Sequence, residues 1–107
     1  MDYGINLLEK YFVDKYLTPS APTLEIGTGT GRLAFGLEKQ ANFEDIIAID
    51  FVEKFIEAAN EKTRLLGSKI IFETGNAIDL KFSDESFVSV ISYGVLISHL
   101  PKRPKEG

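Results

Sequence analysis

At 107 residues with a net charge of −4 and a pI near 5.0, the chain has room for one domain with a modest core, and it lacks the positive charge that broad binding to nucleic acid or an anionic membrane requires. Hydrophobic residues at 44% and charged residues at 26% are the balance of a globular protein, and no apolar run nears the roughly 20 residues of a membrane span. The absence of cysteine excludes disulfides, thiolate metal ligands and a cysteine nucleophile, and it fits a cytoplasmic protein.

Met1-Asp2-Tyr3-Gly4 lacks the basic and apolar regions of a signal peptide. Residues 2–17 read as an amphipathic helix, with Ile5, Leu8, Phe12 and Tyr16 recurring at helical spacing and Asp2 near its start. Thr18-Pro19-Ser20-Ala21-Pro22 breaks it. Residues 23–27 read as the first strand, and residues 31–41 as a helix with Leu33, Ala34, Leu37 and Ala41 on one face. Asp45 to Asp50 is an apolar run between acids, the pattern of a strand buried on both faces. Residues 52–66 form a strongly periodic helix lined by Val52, Phe55, Ile56, Ala59, Thr63 and Leu66, with Gly67 as its C-cap. Lys69 to Glu73 reads as a third strand and Phe87 to Tyr93 as a fourth. Residues 101–107, with Lys102, Arg103 and Lys105, read as a solvated end. Strands alternating with helices predict a single α/β domain over 1–107: an open parallel sheet with right-handed crossovers and flanking helices.

The densest motif follows the first break: Thr23-Leu24-Glu25-Ile26-Gly27-Thr28-Gly29-Thr30-Gly31-Arg32-Leu33-Ala34. Alternate glycines let the backbone turn through positive φ and let a ligand come close. The helix beyond offers unpaired N–H groups and a partial positive charge. Together these point to a nucleotide-like ligand. Glycine turns also occur simply to pack a helix on a strand, and the dinucleotide fingerprint puts a third glycine where Arg32 stands. Three residues add weight to the ligand reading. Glu25 lies inside the strand, where an acid is costly without a task. Asp50 ends the second strand 19 residues after Gly31, where a carboxylate can accept both ribose hydroxyls. Asn76, in Gly75-Asn76-Ala77, follows the third strand.

In order and spacing, LEIGTGTGRLA, AIDFVEKFIEAA and GNAIDLKFSDESFVSVIS resemble the first half of a class I S-adenosylmethionine-dependent methyltransferase, and most closely its small-molecule and quinone-type members. The resemblance runs from about Leu24 to Leu100. It implies a Rossmann-like sheet of order 3-2-1-4, truncated relative to the family's seven strands, with S-adenosylmethionine as cofactor. The activity implied is in-line methyl transfer to a small-molecule acceptor. Carried over, Glu25, Gly27, Thr28, Gly29 and Gly31 would hold the amino-acid end of the cofactor, and Asp50 the ribose. Phe51 and Val52 would pack on adenine, and Asn76 and Ala77 would meet its edge. Tyr93 would lie near the sulfonium, with Tyr3 and Tyr11 closing over the site. Asn76 replaces the more usual Asp, and Val88 stands where the family has an acid. His99 fits the family's apolar-His-Leu ending only with a one-residue slip, which would make it a site residue near the acceptor; the favoured reading is a surface or helix-end residue. Ser92 is read as a small polar residue at a strand end.

No catalytic residue stands out, because the sulfonium is already activated and the enzyme mainly aligns the reactants. No metal site is expected. The chain ends soon after the fourth strand, which is therefore expected at the sheet edge. With no charge or proline from Phe87 to Tyr93, that edge is expected to be covered by a second copy, another subunit or a missing half. Two alternatives remain: a nicotinamide-dependent oxidoreductase fragment, and a non-catalytic cofactor-binding or interaction module.

Overall fold

The computed structural model describes residues 4–75 and 89–92, and the backbone of 95–99. The elements are α1 (Leu7–Tyr16), β1 (Thr23–Ile26), α2 (Arg32–Ala41), β2 (Ile46–Asp50), α3 (Glu53–Leu66), β3 (Ile71–Thr74), β4 (Ser89–Ser92) and β5 (Val95–His99). They form one sheet of order β3-β2-β1-β4-β5. The first four strands are parallel, in the expected order 3-2-1-4. No described helix is long and apolar enough to cross a membrane.

Two expectations need correction. β4 is not an edge: β5 pairs with it antiparallel, Ser92 opposite Val95 and Ser89 opposite His99, with a register irregularity between Val90 and Ile91. The backbone groups of that edge find partners within the chain, so its pairing requires no second copy or other subunit. A strand over Val95–His99 was not foreseen, although its Val and Ile favour one. The first helix starts at Leu7, not near Asp2. Asn6 is its N-cap, accepting from the Glu9 N–H at 2.8 Å while the Glu9 side chain accepts from the Asn6 N–H at 3.0 Å.

Register sets the core. Ile91, Glu25, Ala48 and Phe72 stand in one row across the sheet. The apolar members of that row pack with Val13 of α1, Leu33, Ala34, Phe35 and Leu37 of α2, and Ile56 and Ala59 of α3. All three helices therefore lie on one face of the sheet. The expected inner residues of α2 and α3 largely hold. Those of the leading segment hold in part: Ile5 packs against the core, and Phe12 lines a small apolar cavity with Val13, Leu17, Leu33, Leu37 and Ile91, whereas Leu8 is 67% exposed and the buried residue of α1 is Val13. The leading segment is anchored by backbone contact as well. A Cβ on Gly36 of α2 would lie 2.9 Å from Ile5 Cγ1 and 3.0 Å from the Gly4 carbonyl carbon, so only glycine lets the two segments pack so closely there. Beside it, the Ile5 N–H donates to Gln40 Oε1 at 3.1 Å.

Candidate functional site

β1 ends in the glycine turn at the C-terminal edge of the parallel strands, where open sheets hold their ligands. Gly27, Gly29 and Gly31 all adopt left-handed φ, at 74°, 62° and 92°. The N–H groups of Gly27 and Thr28 both donate to the Ile49 carbonyl at 2.9 Å, tying the turn to β2. A Cβ on Gly31 would lie 2.8 Å from the Phe35 ring and 2.9 Å from that of Phe72, so this glycine is required for packing as well as for φ. Around Gly29 a Cβ would meet nothing within 4 Å, which leaves space on the ligand side of the turn.

Asp50, only 7% exposed, bridges the turn to the start of α3. Its Oδ2 accepts from the Gly29 N–H and its Oδ1 from the Val52 N–H, both at 2.9 Å. An ionised carboxylate has about four acceptor positions, so each oxygen retains one for a hydroxyl pair. Phe51 follows at once and is 70% exposed, an apolar face with no protein cover beside the carboxylate. Val52 is half-buried and starts α3. The Gly75 N–H donates to the Asp50 carbonyl at 3.0 Å, which brings the end of β3 to the same edge.

Glu25 is buried on the helix side of β1, and its Oε1 accepts from the Thr28 hydroxyl at 2.7 Å. Burial pushes its carboxyl up to about 7. The Thr28 bond and the Arg32 charge pull against that rise, while the Glu9 and Asp50 charges add to it.

The structure brings Glu25, Gly27, Thr28, Gly29, Gly31, Asp50, Phe51 and Val52 to one edge of the sheet. Asn76, Ala77, Tyr93 and Tyr3 lie outside the described residues. Tyr11 is exposed on α1, where its hydroxyl accepts from Lys15 Nζ at 3.0 Å. Ser92 ends β4 opposite Ile26. The His99 backbone pairs with Ser89 at the start of β4, about 10 Å along the strand from that edge. It stands in a strand and not at a helix end.

Two contacts were not foreseen. Arg32 forks onto Glu9 and the Gly4 carbonyl. Lys62 of α3 reaches the Thr30 carbonyl at 3.3 Å and its hydroxyl at 3.5 Å. Arg32 stands out in the sequence as the residue in place of a glycine, but its partner 23 residues away has no local signature.

Residues 23–106 match the family described as "Methyltransferase domain". A demethylmenaquinone methyltransferase of Deinococcus radiodurans is 36% identical over 67 residues, 63% of this chain and 28% of that protein. A ubiquinone/menaquinone biosynthesis C-methyltransferase of Dinoroseobacter shibae is 29% identical over 100 residues, 89% of this chain and 40% of that protein. Among solved structures, the PH0226 protein of Pyrococcus horikoshii superposes with a TM-score of 0.67 at 30% identity, over 78% of this chain and 38% of that one. The chain thus spans well under half the length of these relatives. With its strand order, glycine turn and matched residues taken together, the chain belongs to the methyltransferase-domain family.

Proposed function

We propose that this chain carries the S-adenosylmethionine-binding part of a methyltransferase acting on a small-molecule acceptor of the quinone-precursor type. The acceptor class is drawn from the names of the two bacterial relatives. The cofactor reading rests above all on Asp50, which holds the Gly29 N–H across the glycine turn, keeps acceptor positions for a ribose, and is followed by the bare ring of Phe51. The open space at Gly29 fits a ligand lying along the turn. A cytoplasmic location fits the lack of cysteine.

In this reading Gly27 to Gly31 present backbone groups to the amino-acid end of the cofactor, and Glu25 faces its ammonium directly or through a water. Phe51 and Val52 take the adenine face, with Asn76 and Ala77 at its edge and Tyr93 toward the sulfonium. When bound, the cofactor supplies a methyl group already activated by its sulfonium. The chain's own residues orient it and keep water out, and no proton transfer by the protein is required for alignment.

Calorimetric titration of S-adenosylhomocysteine and of NAD against the wild type and Asp50→Ala tests this. S-adenosylhomocysteine is expected to bind in preference to NAD. Asp50→Ala removes two charge-assisted hydrogen bonds to the backbone and those to the ribose, and is expected to weaken binding at least about tenfold. Preferential NAD binding would sink the proposal, and an Asp50→Ala chain with unchanged affinity would remove the ribose assignment.

A further inference from the structure

We propose that the outer side of β3 is a self-association edge, where two copies of the chain pair with β3 antiparallel to β3 about a two-fold axis at Ile71.

β3 stands at one end of the sheet, paired with β2 on one side and with no other described strand. Such an edge presents a row of backbone donors and acceptors. Its side chains alternate between the two faces. Phe72, and Ile70 just before the strand, are buried against the helices, whereas Ile71 is 52% exposed and Glu73 and Thr74 are exposed. Ile71 and Glu73 therefore stand on the face away from the helices. Lys69, two residues before Ile71, is exposed as well. Its N–H donates to Glu38 Oε2 at 2.9 Å, which fixes the backbone leading into the strand. The run from Lys69 to Glu73 holds no proline, and the β2–β3 register is unbroken, so two common defences of an edge are missing.

The charges decide the geometry. They have opposite sign and lie two residues to either side of Ile71. In an antiparallel pair centred there, Lys69 stands opposite the partner's Glu73 and Glu73 opposite the partner's Lys69. Ile71 meets the partner's Ile71 between them. Opposite charges and β-branched apolar side chains attract in such positions, and like charges directly opposed repel. A parallel pair in register sets lysine against lysine and glutamate against glutamate. The pattern thus selects a closed two-fold dimer over the open stacking that an exposed strand otherwise invites. An axis perpendicular to the sheet keeps the helices of both copies on one side. It brings α3, which packs on β2 and β3, beside the partner's α3, adding surface that a strand pair alone lacks. The ligand edges of the two copies then point in opposite directions, and the pairing needs no cofactor.

Sedimentation velocity over a concentration series, on the wild type, Lys69→Glu, Glu73→Lys, an equimolar mixture of those two variants, and Ile71→Lys, tests this. The wild type is expected at twice the 11.9 kDa chain mass when concentrated, dissociating on dilution. Each charge reversal puts two like-charged pairs across the axis and is expected to weaken association about tenfold or more. The mixture is expected to recover it, because each variant then meets the charge it lacks. Ile71→Lys opposes two lysines at the axis and is expected to be monomeric with an unchanged circular dichroism spectrum. A wild type that stays monomeric up to millimolar concentration overturns the inference. So does a dimer that ignores all three substitutions, or a mixture that associates no better than its components. Species that grow past the dimer overturn the two-fold closure.

Discussion

The glycine turn and the outer face of α1 lie on either side of the Arg32–Glu9 clasp, and they are built on opposite terms. In the turn, backbone and side chain are constrained together: three glycines at positive φ, two N–H groups on one Ile49 carbonyl, and Asp50 across the top. On α1 only Val13 is buried, and Leu7, Leu8 and Tyr11 face outward. The helix is held by Val13 and the flanking Ile5 and Leu17 on the core, and by polar contacts at its start: the capping box, the Arg32 fork and the Gln40 bond to Ile5. A turn of this kind should tolerate almost no change, and a helix of this kind should tolerate most changes on its outer face.

Gly31→Ala is expected to break the turn most severely. The new Cβ meets two phenylalanine rings and is forced into a left-handed φ, and strain and overpacking together should cost about 2–5 kcal/mol in urea unfolding. A cost under about 1 kcal/mol would mean that the turn relaxes freely. Glu25→Gln probes the acid beneath it. The Glu25 carboxyl has a folded value of about 7, above its ordinary 4.5, so its contribution to stability is fully present below 4.5 and is lost as pH rises through 7. That loss amounts to at most about 3 kcal/mol. Urea unfolding from pH 4 to 8 should therefore show a wild-type decline that Glu25→Gln removes, and parallel curves would contradict the burial argument. The smallest effect belongs to α1. Leu7→Ser with Leu8→Ser should stay within about 0.5 kcal/mol, whereas Val13→Ala on the inner side of the same helix should cost about 1–3 kcal/mol. Equal effects would erase the distinction between the two faces.

The same contrast explains how much could be read in advance. The turn, Glu25 and Asp50 are legible because their chemistry is local: glycine where φ must be positive, and an acid inside or at the end of an apolar strand. The Ile46–Asp50 run and the period of α3 carry their own burial pattern. Leu8 was misplaced because spacing identifies a stripe without saying that anything covers each member of it, and Leu8 fits the stripe of Ile5 and Phe12. The N-x-x-E signature at Asn6 and Glu9 does mark the true helix start. β5 was missed because a chain expected to stop at an edge strand gives no reason to seek its partner. The clasp was illegible because a pair 23 residues apart leaves no trace in one sequence.

Gly36 carries a consequence for the order of events during synthesis. The docking place of the leading segment, made by Arg32, Gly36 and Gln40, is encoded up to 35 residues after the segment itself. At roughly 5–20 residues per second, that segment waits about two to seven seconds before its seat has been translated. Through that interval α1 has only its capping box and side-chain pairs to hold its shape, and a ten-residue helix is marginal on such terms. The leading segment is thus made before its seat and settles after it.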